Sequence, residues 1–151
     1  MKAGKIRPIA ICVFYHQGRI LVNEGYDSVK KQTFYRPLGG KIEFGEKSSE
    51  TVRRELLEEI GYEVHNLKFL ATLENIFTYN GEKGHEIIIV YDGDFADESI
   101  YQRATIQGLE NNHDPISAVW KPLSDFKAGS DGSSSTPLYP SGLLELLLEK
   151  Y

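Results

Sequence analysis

One cysteine among 151 residues excludes an internal disulfide. Cys12 sits in the run Ile9-Ala10-Ile11-Cys12-Val13-Phe14, so it reads as a small buried hydrophobe and not as a reactive thiol. No apolar run approaches the roughly 18 residues that a membrane-spanning helix needs. The apolar stretch near the N-terminus is short, has charges close by and is not followed by a clean small-residue cleavage site. No export signal is expected, and a cytoplasmic location is the default. An excess of positive charge is also missing: 17 Lys and Arg face 22 Asp and Glu, for a net charge of −5. A general nucleic-acid binder would carry a basic face, so no nucleic-acid partner is expected. A small anionic substrate is not excluded, because bound cations reverse the local sign. There is no repeat and no long linker. With 40% apolar and 26% charged residues, residues 1–151 read as one globular domain with a core large enough to hold it.

What is present organises as strands around one strong helix. Lys5 to Tyr15 reads as a strand, Gln17-Gly18 as a turn and Arg19 to Asn23 as the hairpin partner. Asp27 to Gln32 is polar and reads as a loop. Tyr35 to Gly40 reads as irregular, because Pro37 blocks a helix and two glycines follow. Ser48 to Ile60 is the best helix in the chain, and Gly61 stops it. Val64 to Tyr79 reads as a long or bent strand, Asn80 to Gly84 as a turn and Glu86 to Phe95 as a strong strand. Ala118 to Lys121 reads as a short strand, Leu123 to Phe126 as a helical turn, Gly129 to Ser135 as a mobile Gly/Ser-rich segment, and Leu143 to Lys150 as a docked C-terminal helix. About six strands and two helices suggest an α/β fold, a mixed sheet covered by helices.

The helix carries the chemistry. Glu55, Glu58 and Glu59 fall at i, i+3 and i+4 and share an arc of roughly 100°, while Val52, Leu56, Leu57 and Ile60 cover another side. The apolar side explains docking but not the acidic stripe. Like charges at these spacings repel by a few tenths of a kcal/mol per pair. Hard divalent cations, which take oxygen ligands, would offset that repulsion. Taken alone, such a stripe reads as a solvated acidic face. The preceding loop supplies the context: Gly39-Gly40 allows close backbone approach, and Gly45-Glu46 lies just before the helix N-terminus, where an anion is favoured.

The segment from Gly40 to Tyr62 resembles the Nudix box: Gly40, five residues, Glu46, seven residues, Arg54-Glu55, aliphatic Leu56, one residue, Glu58-Glu59, one residue, Gly61 and a final apolar position. Every charged and glycine position is met across these 23 residues, and the one departure is Tyr62 where the family has an aliphatic residue. The resemblance implies a Nudix α/β/α sandwich. It further implies Mg²⁺-dependent (or Mn²⁺-dependent) hydrolysis of a pyrophosphate bond in a nucleoside diphosphate-linked substrate. Glu55, Glu58 and Glu59 are then the expected metal ligands, with the Gly40 carbonyl joining them. Arg54 is expected to orient the box carboxylates, and Glu46 to pair with Arg54 or reach the metal through water. Clustered divalent cations neutralise a pyrophosphate, activate water and stabilise the leaving phosphate, which is why the chemistry wants this donor set.

Outside the box, the candidate acids for a general base are Glu86 at the start of a strand, and Glu110 and Asp114 in the loop before Trp120, with His113 nearby. Arg36, just before the glycine pair, is placed to grip a phosphate or to make a structural ion pair. Phe14, Tyr35, Phe44, Phe77, Tyr79 and Tyr91 include candidates to stack a base, although most should be core. Tyr79, 17 residues beyond Tyr62, resembles a marker of dinucleoside polyphosphate hydrolases. The proline marking ADP-ribose hydrolases and the motif of the NADH-cleaving branch are absent. His85-Glu86 reads as a substrate contact or a strand-end hydrogen-bond pair. A homodimer, common in the family, is an expectation with no legible interface.

Two other functions compete. A catalytically silent Nudix domain could serve as a nucleotide-binding sensor, but such a module has no need of the full acidic stripe. A calcium-binding acidic helix would usually gather its ligands from a loop. The substrate itself is not legible, because specificity lies in loops outside the box.

Overall fold

The structure, a computed structural model, describes residues 4–110, 114–127 and 136–151. Its elements run β1 (Ile6–Val13), β2 (Tyr15–His16), β3 (Arg19–Asp27), β4 (Gln32–Arg36), β5 (Leu38–Lys41), α1 (Ser48–Ile60), β6 (Val64–Tyr79) and β7 (Glu82–Phe95). A 3₁₀ turn (Glu98–Gln102), β8 (Thr105–Leu109), β9 (Pro115–Pro122), a second 3₁₀ turn (Leu123–Phe126) and α2 (Leu143–Lys150) follow. His113 and Gly129–Ser135 lie outside the described residues.

The expected mixed sheet is present, and a second sheet accompanies it. The first has the order β5-β1-β7-β6 and is mixed, because β1 and β7 pair in parallel; the second has the order β2-β3-β9-β8, with β4 also paired to β3. The continuous apolar run of β1 is explained by burial on both faces. Ala10, Cys12 and Phe14 join Val52, Leu56 and Ile60 of α1 in one core. The alternating Ile9, Ile11 and Val13 join Leu143 and Leu147 of α2 in a second. Helices thus cover both sides of the sheet layer, an α/β/α arrangement.

Three local differences follow from glycine and proline. Tyr35–Gly40 is not irregular: Pro37 falls between β4 and β5, and Gly39 and Gly40 pair with Ile11 and Ala10 of β1. Proline does block a helix there, but at a strand junction it removes no sheet hydrogen bond. The Asn80–Gly84 turn contracts to Asn80-Gly81, both with positive φ (50° and 82°), as a tight two-residue hairpin requires. The strand therefore resumes at Glu82, and Glu86 becomes an interior strand residue instead of a strand start. β4 and β8 were not legible as strands, and the short strand at Ala118–Lys121 extends to Pro115–Pro122. The bend in β6 is real, with register shifts between His65 and Lys68 and between Phe69 and Ala71.

Candidate active site

The acidic helix begins in a loop that is tied down by its own charges. Arg54, nearly two turns into α1, donates to Glu46 through Nε (2.7 Å) and a terminal nitrogen (3.0 Å), and to the Lys41 carbonyl (3.0 Å). Its other terminal nitrogen reaches Glu55 at 2.8 Å and Glu58 at 3.3 Å. Thr51 donates to Glu46 from the helix (2.6 Å), and the Glu43 amide adds a third donor (3.2 Å). Arg54 foremost, then Thr51, hold the Glu46 carboxyl down to about 2. Bidentate pairing of this kind fixes geometry as well as charge. Arg54 thereby locks the loop to the helix and sets the rotamer of Glu55. The helix start is fixed to β7 by a hydrogen bond between the Ser48 and Tyr91 hydroxyls (2.6 Å). Gly61 ends the helix in the left-handed region, its amide bonded to the Leu57 carbonyl.

The stripe is not uniform. Glu55 is 2% exposed, whereas the Glu58 side chain is 48% exposed. A Cβ added at Gly40 would overlap the Glu55 carboxyl, so glycine is what lets β5 pass against it. Glu59 lies beside Glu55. Burial first, then the hydrogen bond with and the charge of Glu55, push the Glu59 carboxyl up to about 9; Glu110 adds to the rise and Arg36 opposes it. Gly108 plays the same part for β8 that Gly40 plays for β5, since a Cβ there would overlap the Glu59 carbonyl. Glycine spacing thus brings Glu55 and Glu59 under strands from both sheets.

A cleft of about 930 Å³ opens beside these carboxylates. It gathers most of the residues singled out in the sequence: Arg36, Gly40, Glu55, Glu59, Tyr79, Glu86, Glu110 and Asp114 all line it. Glu46, Arg54 and Glu58 do not; they form the network on the outer side of the helix. Among the candidate aromatics, Phe14 and Tyr35 are core, Phe44 is fully exposed at the tip of the box loop, and Tyr91 is engaged with Ser48. Phe77 and Tyr79 face the cleft. Glu86 is 4% exposed and accepts from Arg7 at 2.5 Å. Arg7 and Asn75 also line the cleft and escaped the sequence reading. Arg7 had a signal, as the one charged residue in an otherwise apolar strand, whereas Asn75 is one of several polar residues in β6.

The donor chemistry fits a hard divalent cation: oxygen ligands only, in a close-packed carboxylate pair in which the charge of Glu55 raises the Glu59 carboxyl. Among the described residues no three acidic, His or Cys side chains yet converge as a set of ligands. The reason is visible in Arg54, which draws Glu55 and Glu58 toward itself. Glu58, half exposed, has the freedom to turn; Glu55 does not.

The sequence model of the NUDIX domain matches residues 5–141. The chain belongs to the Nudix family. Solved structures of the same fold include the MutT NUDIX hydrolase of Burkholderia pseudomallei, 20% identical with a TM-score of 0.64 over 95% of this chain and 97% of that one. MutT studied from Aliivibrio salmonicida and Vibrio cholerae is 18% identical with a TM-score of 0.59, covering 97% of this chain and 100% of that one. A structure described as an ADP compounds hydrolase is 21% identical with a TM-score of 0.57, covering 97% and 74%. With the box intact, this Nudix protein is a pyrophosphohydrolase of the family type. No helix among the described residues is long and apolar enough to cross a membrane.

Proposed function

We propose that this Nudix enzyme hydrolyses, with Mg²⁺, the pyrophosphate bond of a nucleoside diphosphate-linked substrate. The observation that carries the reading is the cleft that brings Glu55, Glu59, Gly40 and Arg36 together. Glu55, Glu58, Glu59 and the Gly40 carbonyl would hold the metal. A divalent cation held there supplies charge neutralisation and Lewis acidity at the pyrophosphate oxygens.

The protein's own groups do the rest. Arg36 binds a phosphate oxygen at the cleft wall and orients the chain of phosphates. Arg54 and Glu46 keep the box loop and Glu55 in place without touching substrate. Water attacks one phosphorus; the new P–O bond forms as the bridging P–O bond breaks, and the leaving phosphate carries away the electron pair. The water's proton passes to a carboxylate on the cleft wall, for which Glu59, Glu110 and Asp114 are the candidates.

The test is a panel of nucleoside triphosphates, nucleotide sugars, ADP-ribose and dinucleoside polyphosphates, assayed for phosphate or mononucleotide release. Turnover is expected with Mg²⁺ on at least one class and should vanish with excess EDTA. Equal turnover in EDTA would overturn the metal dependence, and silence on the whole panel would overturn the reaction.

A further inference from the structure

The cleft wall contributed by the first sheet is apolar at Ile9, Ile11 and Ile88, but one row of it is polar. In strand register Asn75 lies opposite Glu86, and Glu86 opposite Arg7, so three neighbouring strands place an amide, a carboxylate and a guanidinium side by side. Asn75 and Glu86 are each 4% exposed. Burying such groups costs free energy unless each is satisfied. Arg7 satisfies one oxygen of Glu86. The Ser141 amide donates to the Asn75 Oδ1 at 3.3 Å, which occupies the acceptor end of an amide that lines the cleft and leaves Nδ2 as its remaining group. The row therefore presents a donor next to a carboxylate acceptor.

Aromatic rings flank this row. Phe77 lies across Gly84, its cross-strand partner, and Phe34 lies across Gly25 in the other sheet; a Cβ on either glycine would overlap the ring. The rings lie along their sheets instead of standing into the cleft. Phe34 also packs edge-on to Tyr79 and Tyr139 (centroids 5.7 and 5.3 Å). Cross-strand aromatic–glycine pairs stabilise sheets by themselves. They do not account for a largely buried amide beside them whose Nδ2 has no hydrogen bond among the described residues.

We propose that Asn75 and Glu86, with Phe77 as a stacking face and Arg7 as the support that holds Glu86, form a nucleobase-binding subsite. The Nδ2 of Asn75 donates to a ring carbonyl or ring nitrogen, and Glu86 accepts from the adjacent N–H. Along β1, Ala10, the partner of Gly40, lies three positions beyond Arg7. That is roughly 10 Å along the strands, and Glu86 and Asn75 lie a further two and three strand spacings of about 4.8 Å from β5, a span suited to a nucleoside that carries a chain of phosphates. The inference rests on the nucleotide-hydrolase reading, and its test does not depend on turnover.

The experiment is calorimetric titration of the full chain in EDTA with GMP, AMP and ribose 5-phosphate, for wild type, Asn75→Ala, Phe77→Ala and Phe77→Tyr. Wild type is expected to bind at least one nucleotide on the order of tenfold or more tighter than ribose 5-phosphate, as stacking and one hydrogen bond would give. Asn75→Ala and Phe77→Ala should lose that preference, and Phe77→Tyr, which keeps the ring, should retain it. No preference in wild type, or a preference preserved in both alanine variants, overturns the subsite. Loss in Phe77→Tyr as well would assign the effect to packing and overturn it too. A silent hydrolysis panel with an intact binding result would overturn the reaction and leave the subsite standing.

Discussion

Glu58→Gln and Glu59→Gln are each expected to lower turnover by on the order of 10² or more while leaving the protein folded. Each exchange keeps the volume and removes one charge from the donor set that a cation requires. A loss of this size corresponds to an interaction made as charge develops at the pyrophosphate. The two positions test different things. Glu59 lies in the cleft beside Glu55, whereas Glu58 is half exposed and bonded to Arg54, outside the cleft lining. If Glu58 turns from Arg54 to a metal during catalysis, its variant falls with that of Glu59. Near wild-type rates in both would show that the stripe is only a surface. The assay is steady-state kinetics on whichever panel member is turned over, with circular dichroism to verify the fold.

Mg²⁺ is expected to raise the melting temperature of the wild type, and to do so less in both variants. The folded chain brings Glu55 and Glu59 together; the unfolded chain does not, so the metal favours the folded state. At about 100 times the dissociation constant, one site contributes roughly 2.7 kcal/mol. For a domain of this length that is a shift on the order of 5–10 °C. In the metal-free protein the variants should melt close to wild type. Glu58→Gln weakens one half-exposed contact with Arg54, worth about 0–1 kcal/mol, and Glu59→Gln replaces a carboxyl that burial and Glu55 already favour in its neutral form. Thermal melts at fixed ionic strength, so that screening does not mimic binding, read both effects. A wild type indifferent to Mg²⁺, or variants that keep the whole shift, would remove these glutamates from the ligand set.

The helix and its stop were legible because periodicity and a left-handed glycine are local signals: Ser48–Ile60 and Gly61 stand where the pattern puts them. The box was legible because its charges are fixed in spacing. The strands around Pro37 were not, because whether a proline interrupts a strand or merely separates two depends on which neighbour its backbone meets. Gly84 misled for a related reason. In a turn it would supply a positive φ, but here it makes room for Phe77 across the hairpin. Glu86 was noticed as an acid but not as a buried one. Its burial depends on Arg7, 79 residues away in sequence and adjacent only through a parallel pairing. Asn75 carries no sequence signal beyond being polar within a strand. The division of the acidic stripe, with Glu55 and Glu59 inside and Glu58 outside, depends on Gly40 and Gly108, which no helical wheel contains.

α1 is expected to hold a divalent cation in the cleft, at Glu55 and Glu59. Crystals of the protein soaked in Mn²⁺, with anomalous diffraction collected to locate it, test this directly. Manganese is expected at coordination distance from Glu55, Glu59 and a reoriented Glu58, next to the Gly40 carbonyl. Manganese bound elsewhere, or absent from this helix under conditions in which the enzyme turns over, would contradict it.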